Sequence, residues 1–432
     1  MKFQPPKGTK DIWPEEMRVR QKILDTLKNI FELYGFQPIE TPALERWEVL
    51  SAKGGGGPEI LKETYNFKDK AGRMIGLRYD LTIPLARVVA SNPSLHLPFK
   101  RYQIQKVWRY GDVAKGRLRE FLQADIDIVG TKSMVADAEI ISCSIDALTA
   151  LGFKNFTVRL NNRKILSALV EYAGIEEKKA MDVFRSIDKL EKIGIKGVER
   201  ELTERGVSVN AKNKILKLIQ IEGESESVLR RVNKIIGKIE EGKEGIKELK
   251  EIVVYLKKMG IKSKVKVDLS LARGLDYYTG PIFEIFAEEG IGSIAGGGRY
   301  DRLIRLFSGR DLPATGISFG IERIIQVMRD RKMVEVSKSN VKVFVVSVNE
   351  KCREGMLKIV KKLRENEIPT DFDLKGRSLT KQLEYADSLG IPYAIIVGEK
   401  ELKTNKFKLK NMKERKEETL NLKEIIKLLK GK

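Results

Sequence analysis

The sequence predicts an α+β protein in which a mostly antiparallel sheet domain is interrupted by helices and followed by a small α/β domain. Strand-like runs at about 97–108 and 121–130 are flanked by only a few helices, which favours an antiparallel sheet over a doubly wound one. From about 163 to 262 the chain changes to helices rich in lysine and glutamate. Beyond 341, strands and helices alternate around the apolar run 394–397, which is typical of a small α/β domain.

The individual elements follow from hydrophobic periodicity, read in chain order. In the first domain we predict helices at 15–34 and 135–151 and strands at 97–108, 121–130, 265–271 and 282–287. Helices of the interrupting segment are predicted at 163–173, 178–193, 211–221 and 224–259. The last segment predicts a strand at 341–348, helices at 356–366 and 378–389, a strand at 393–397, a hairpin at 406–420 and a closing helix. We therefore expect a core of 1–160 with 261–333, a helical insertion of 161–260, a polar linker at 329–340 and a terminal domain of 341–432.

Composition points to a polyanionic partner. The chain has 432 residues, enough for two or three domains with a buried core. It carries 82 Lys plus Arg against 60 Asp plus Glu, a formal charge of +22, and such an excess most often indicates nucleic acid binding. Lysine and glutamate on helix faces are also the habit of proteins from hot environments. That habit explains the abundance of both signs but not their imbalance.

The inventory of metal-binding side chains is small. Cys143 and Cys352 lie far apart and His96 is the only histidine, so no zinc site can be assembled and we predict no metal ligands. His96 lies in an apolar stretch and is interpreted as a core or turn residue. No stretch is long enough to span a membrane, and the amino terminus lacks the apolar region of a signal peptide, so we expect a cytoplasmic protein.

Residues 273–280 read Arg-Gly-Leu-Asp-Tyr-Tyr-Thr-Gly and follow a strand-like alternation at 265–271. They could be a turn with surface aromatics. An arginine, an acid and two phenols at one strand end instead predict a site for a small polar ligand. A second string follows at 295–301, Ala-Gly-Gly-Gly-Arg-Tyr-Asp, and consecutive glycines usually mark a close approach of the backbone to something else.

Together these two strings resemble the two histidine-specific segments of histidyl-tRNA synthetases. The three weaker motifs of the class II aminoacyl-tRNA synthetases are also present, at 35–42, at 107–123 and at 316–323, and residues 6–11 resemble the family's opening segment. The resemblance therefore covers the whole chain. It implies a class II catalytic domain with an antiparallel sheet and a helical insertion, a homodimer formed through the first motif, and a carboxy-terminal anticodon-binding domain.

The resemblance assigns the ATP-binding residues. Amino-acid activation develops negative charge on the α-phosphate, which arginine can meet with a planar pair of donors. Arg109 resembles the α-phosphate arginine, Arg117 should lie toward the γ-phosphate, and Arg323 should reach the γ-phosphate and lie over adenine. Arg273 should lie near the α-phosphate and the substrate carboxylate. In so charged a chain each arginine could instead form a surface salt bridge, and only its motif argues otherwise. The chemistry also implies Mg²⁺ on the β- and γ-phosphates.

The same resemblance assigns the amino-acid site. Asp80, with Thr82 and Gln123 beside it, resembles the acid that binds the α-ammonium group, and Asp127 and Tyr278 match the residues on either side of the imidazole. Tyr277 and Arg273 complete the set. Relatives from bacteria typically have Glu in place of Asp80 and Asp127, so the two shorter acids match archaeal and eukaryotic members. Asp127 could also belong to an exposed strand face, but Gln123 and Asp127 share parity and hence one face of the sheet.

We therefore expect a histidine–tRNA ligase whose partners are ATP, L-histidine and tRNA(His). One alternative is a histidine-sensing regulatory paralogue of ATP phosphoribosyltransferase, which shares the fold but typically loses the arginine motifs and the terminal domain. Another is a basic RNA-binding scaffold with an inactive pocket. The last segment, 341–432, carries 22 basic and 14 acidic residues, a surplus of eight positive charges that suits contact with a phosphate backbone.

Overall fold

A computed structural model of the protein describes residues 3–52, 58–114, 116–261, 263–272, 277–287, 292–334 and 338–431. The chain divides into two compact units, Met1–Asp11 with Arg20–Met333 and Ile12–Val19 with Val334–Lys432. Both units mix helices with strands. The predicted α+β class is therefore confirmed.

The first part of the chain supplies seven strands and five helices among the described residues. In order these are α1 Pro14–Leu33, β1 Gln37–Pro38, β2 Leu44–Arg46, α2 Trp47–Leu50, α3 Pro58–Glu63, β3 Asn66–Lys68, β4 Met74–Leu77, α4 Thr82–Ala90, β5 Phe99–Trp108, β6 Glu120–Val129, α5 Met134–Ala150 and β7 Thr157–Asn162. Strands β2, β4 and β3 form a small antiparallel sheet.

A run of helices follows, then the strands that complete the main sheet. The helices are α6 Arg163–Ala173, α7 Ala180–Asp188, α8 Leu190–Glu204, α9 Val209–Ile219, α10 Ser225–Ile236 and α11 Glu240–Lys258, with a 3₁₀ turn at Glu177–Lys179. After them come β8 Val265–Val267, β9 Pro281–Phe286, β10 Ser293–Arg299, α12 Arg305–Ser308, β11 Ala314–Gly320 and α13 Ile321–Asp330.

Within the described residues the main sheet has eight strands in the order β1-β5-β6-β11-β10-β9-β7-β8. The outermost pairings, β1 with β5 and β7 with β8, are parallel, and the inner ones are antiparallel. One face of the sheet is covered by helices: the buried ring of Phe31 on α1 packs 5.8 Å from Tyr102 of β5 and from Phe319 of β11. The residues next to these along each strand face the opposite way and form the site described below.

The second unit has its own sheet and its own core. Its elements are β12 Val343–Ser347, α14 Arg353–Glu365, β13 Thr370–Phe372, α15 Leu379–Ser388, β14 Tyr393–Val397, α16 Glu399–Thr404, β15 Lys406–Asn411, β16 Lys416–Asn421 and α17 Leu422–Lys430, with a 3₁₀ turn at Glu350–Cys352. The sheet order is β13-β12-β14-β15-β16, parallel among the first three strands and antiparallel at the β15–β16 hairpin. Apolar clusters lie on both sides of it.

Three predicted elements were wrong in extent. The strand predicted at 265–271 ends at Val267, because the carboxylate of Asp268 accepts the backbone N–H of Ser270 and turns the chain. The helix predicted at 224–259 is two helices separated at 237–239. The helix predicted at 178–193 divides near Lys189, and its continuation kinks at Gly194, whose φ of +66° is left-handed. The hydrophobic periodicity of the sequence continues across the two helix breaks because the same face of the helical segment stays packed on either side of each break.

Candidate functional site

Strand register brings the polar residues of β5, β6 and β11 into rows across one face of the main sheet. Asp127 lies between Arg101 of β5 and Gly316 of β11, and Asp125 lies between Gln103 and Ser318. Directly opposite residues of antiparallel strands project to the same face. Gln123, Asp125 and Asp127 alternate along β6 and therefore share that face. The result is a polar patch built from three strands that are distant in sequence.

The glycines of β10 and β11 are required by close packing over this patch. A Cβ at Gly316 would lie 2.0 Å from Oδ1 of Asp127, and one at Gly297 would lie 2.0 Å from the Gly316 carbonyl oxygen. Gly298 has a φ of +159°, and a Cβ there would meet the Tyr278 ring at 2.9 Å. The glycine string thus allows β10 to approach β11 closely and leaves room for the side chains of Asp127 and Tyr278.

Three buried carboxylates, Asp80, Asp125 and Asp127, cluster near the fully buried guanidinium of Arg101. Asp127 Oδ2 lies 2.7 Å from Arg101 Nη2, and Tyr300 donates its hydroxyl to Asp127 Oδ1. Burial raises the pKa of Asp80 and Asp127, and it raises that of Asp125 to about 7, against the opposing effect of the Arg101 charge. Burial and the nearby Asp127 also raise the pKa of Tyr300. A cluster with more buried acids than buried cations favours a cationic ligand.

Asp80 is held by the start of α4. Its Oδ1 accepts the backbone N–H of Ile83 at 3.0 Å. The charges of Arg109 and Arg101 both act to lower its pKa, but less than burial raises it.

An aromatic wall stands beside the carboxylates. Tyr277 and Tyr278 are almost fully buried and their ring centroids lie 4.8 Å apart. The Tyr277 ring meets the Tyr300 ring edge to face at 6.0 Å. Flat walls with phenolic oxygens suit a small planar ring that can also hydrogen-bond.

Three arginines also line the site. Arg109, at the end of β5, stacks its guanidinium on the Tyr79 ring at 4.2 Å and the Phe121 ring at 5.2 Å, and its Nε donates to the Tyr79 carbonyl oxygen at 3.1 Å. Arg323, on the first turn of α13, donates from Nη1 to the Ser293 carbonyl oxygen at 2.6 Å. Arg117 lies in the loop between β5 and β6, where it pairs with Ala114. Stacking fixes the plane of a guanidinium and so directs its remaining donors.

These groups surround one cavity of about 400 Å³. It is lined by every described residue that the sequence analysis assigned to substrate binding: Asp80, Thr82, Arg109, Arg117, Gln123, Asp127, Tyr277, Tyr278 and Arg323. Arg273 lies outside the described residues, so its assignment stays a prediction. The volume is in the range of pockets that hold small molecules and cofactors.

Sequence reasoning missed Arg101, Asp125 and Tyr300 as parts of this cluster. Asp125 had a detectable signal, since it shares parity with Gln123 and Asp127. The alternative that this face of β6 is exposed was wrong, because Asp125 and Asp127 are each only 3% exposed. Arg101 gave no local signal. His96 is exposed and lies outside any helix or strand, so the core interpretation was wrong.

Among the residues that the structure describes, no group of three or more His, Cys, Asp or Glu side chains could hold a metal ion. Three glutamates, Glu63, Glu284 and Glu322, do line the cavity. Glu322 accepts from Arg20 at 2.9 Å and from the Leu122 backbone N–H at 2.9 Å, so both its oxygens are engaged. None of the described helices combines the length and apolar character needed to cross a membrane.

Comparison with known proteins gives consistent matches along the chain. The family model described as histidyl-tRNA synthetase matches residues 8–324, and the one described as anticodon binding domain matches 342–432. The chain is 41% identical to the histidine–tRNA ligase of Clostridium tetani over 98% of its own length and 97% of that protein's. It is 43% identical to the enzyme of Aeropyrum pernix, covering 92% and 91%. The crystal structure of histidyl-tRNA synthetase from Nostoc sp. PCC 7120 superposes with a TM-score of 0.88 at 31% identity, covering 100% of this chain and 99% of that one.

Proposed function

Because the chain belongs to the histidyl-tRNA synthetase family, it is an aminoacyl-tRNA ligase for histidine, and we propose that both steps of the reaction take place in the cavity between the carboxylate cluster and the arginines. In the first step the histidine carboxylate attacks the α-phosphorus of ATP and pyrophosphate leaves. In the second, a hydroxyl of the tRNA 3′ end takes the histidyl group and AMP leaves. The observation that carries the proposal is one cavity lined both by buried acids and by three arginines.

Histidine recognition is assigned to the buried carboxylates and the tyrosines beside them. Asp80 would bind the α-ammonium group, with Thr82 and Gln123 beside it, because the buried carboxylates lack a full complement of cations. Asp127 would accept the ring N–H, and the Tyr278 hydroxyl would donate to the other ring nitrogen of neutral imidazole. Tyr277 would pack against the ring. An analogue without these nitrogens would leave buried partners unpaired, which can cost factors of about 10,000 or more in selectivity.

ATP binding is assigned to the arginines. Arg109 would meet the α-phosphate, where negative charge grows during the attack, and Arg117 and Arg323 would hold the outer phosphates, with Arg323 also over the adenine. Arg273 is proposed at the α-phosphate and the substrate carboxylate. The rings of Tyr79 and Phe121 hold Arg109 in a fixed orientation, so little reorganisation is needed as charge develops.

Mg²⁺ is proposed to enter with ATP, where it would neutralise charge on the β- and γ-phosphates. Magnesium in nucleotide sites is usually held by one or two carboxylates plus phosphate oxygens and water. Glu284 and Glu322 both line the cavity and are the carboxylates proposed to take that role.

The division of labour along the chain is also a proposal. Residues 1–160 with 261–333 would form the catalytic core, 161–260 a helical insertion, and 341–432 the domain that binds the anticodon of tRNA(His). The match of 342–432 to an anticodon-binding family and the surplus of eight positive charges in 341–432 support the last assignment. A homodimer and a cytoplasmic location are proposed from the family alone.

The test is histidine-dependent ATP–pyrophosphate exchange followed by charging of tRNA. A ligase performs both reactions. A histidine-sensing regulatory paralogue would bind histidine without exchange, and an inactive RNA-binding scaffold would bind tRNA without exchange. The retention of Arg109 and Arg323 in the cavity and the presence of 341–432 favour the ligase. Absence of exchange in folded protein would refute the proposal.

A further inference from the structure

Arg101 contacts both parts of the proposed histidine site, the ring-binding Asp127 and the segment 80–82 that would bind the ammonium group. Its side chain is fully buried, at 0% exposure, so it does not reach a ligand directly. Its Nη2 lies 2.7 Å from Asp127 Oδ2 and donates to the Leu81 carbonyl oxygen at 3.3 Å, and its Nη1 donates to Gln103 Oε1 at 3.3 Å. Leu81 stands between Asp80 and Thr82 in the chain. One guanidinium therefore holds both Asp127 and the segment that carries the proposed ammonium-binding residues.

We infer that Arg101 is a positioning residue for histidine, which fixes the distance and orientation between Asp127 and the segment 80–82. The inference rests on the proposed roles of Asp80 and Asp127. A substrate gripped at its ammonium group and its ring needs these two contacts at a constant separation. A rigid planar cation can bond both partners at once, whereas the point charge of a lysine cannot keep the same geometry.

The charges around Asp127 come from four parts of the fold. Asp80 faces it from the start of α4, Arg101 from β5, Asp125 from its own strand and Tyr300 from the residue after β10. Arg109 acts on Asp80, and Tyr277 contacts Tyr300. The positive charge of Arg101 acts on all three carboxylates. It acts to lower the pKa of each, against the larger effect of burial, which raises it. Without its charge they would take up protons at higher pH, and the acid limb of the histidine kcat/KM profile would move to higher pH.

The experiment measures pyrophosphate exchange by the full-length protein with histidine and ATP varied in turn, for wild type, Arg101→Lys and Arg101→Gln. Both variants should raise the KM for histidine by roughly 10- to 100-fold, the value of a hydrogen bond to a charged group, and leave the KM for ATP unchanged. Only Arg101→Gln should also shift the acid limb of the pH profile upward, because Arg101→Lys keeps the charge.

Arg87→Lys is the control. Arg87, on α4, also forms a largely buried ion pair, in which its Nε lies 2.6 Å from a carboxylate oxygen of Glu45. A purely structural effect of losing an ion-paired guanidinium would appear in the melting temperature of Arg87→Lys and Arg101→Lys alike. The control should lose thermal stability without a selective rise in the KM for histidine.

A wild-type KM for histidine in a folded Arg101 variant would overturn the inference. So would an equal rise in the KM for ATP, or an equal rise in the KM for histidine in the Arg87→Lys control. If both Arg101 variants fail to fold, Gln103→Met decides instead. It removes the acceptor of Arg101 Nη1 but keeps the charge, so it should raise the KM for histidine by a smaller factor, and no change would refute the role. Wild-type protein without histidine-dependent exchange would instead refute the proposed function itself.

Discussion

Gly316→Ala should impair histidine binding through a displacement that the structure allows us to work out. The added methyl carbon would lie 2.0 Å from Asp127 Oδ1, whereas ordinary contacts begin at 3.4 Å, so the carboxylate must move by 3.4 minus 2.0, about 1.4 Å. The Ile126 carbonyl oxygen, at 2.7 Å, lies on the same side and limits how far the strand itself can yield. A misplacement of about 1 Å in a reacting or binding group can cost on the order of 100-fold. We expect the KM for histidine to rise by roughly that factor.

The assay is pyrophosphate exchange with histidine varied at saturating ATP, accompanied by thermal unfolding. Overpacking should also lower the free energy of unfolding by about 1–3 kcal/mol. Gly320→Ala is the control, because it adds the same methyl group to the same strand, where the nearest atom, the Ile294 carbonyl oxygen, is 3.7 Å away. It should leave the KM for histidine near the wild-type value. A folded Gly316→Ala protein with wild-type histidine kinetics would show that Asp127 does not contact the substrate.

Three further predictions concern the arginines, the terminal domain and the pH dependence of stability. Arg109→Ala should lower the rate of pyrophosphate exchange by about 100- to 1000-fold while histidine still binds by calorimetry, since its charge acts mainly on the transition state. Exchange at the wild-type rate in a folded variant would show that Arg109 is misassigned. Removing 341–432 should leave exchange detectable but abolish efficient charging of tRNA and flatten the salt dependence of tRNA binding, as fewer phosphates are neutralised. Size exclusion and circular dichroism must first show a folded truncation, and full charging by it would contradict the anticodon assignment. Asp125→Asn should raise the melting temperature more at pH 8 than at pH 5. The pKa of Asp125 rises from 3.8 to about 7 on folding, so the folded state binds the proton more tightly and wild-type stability falls as pH rises through that window. An equal gain at both pH values would contradict this account.

Local signals in the sequence were enough to predict several elements to the residue. Helix α6 runs Arg163–Ala173 as predicted, because Asn162 caps its start by accepting the Lys164 N–H and Gly174, with a φ of +74°, ends it. Strand β14, Tyr393–Val397, follows from a continuous apolar run bounded by Pro392 and Gly398. The predicted residues that line the cavity, such as Asp80 and Arg323, were found from motifs that can be recognised in the sequence alone.

The α+β class, the family and most of the residues around the cavity could be predicted without a structure, since these depend on short-range patterns and on motif identity. The burial of the polar face of β6, and the choice of Arg101 as the cation that meets Asp127, follow from the three-dimensional arrangement of the strands. Parity along β6 places Gln123, Asp125 and Asp127 together, but parity does not say whether that face meets solvent or other side chains. The pairing of Arg101 with Asp127 depends on the register of β5 against β6, and a slip of one residue would turn Arg101 to the opposite face. Register is set by packing and pairing between segments far apart in the chain, which no local pattern records.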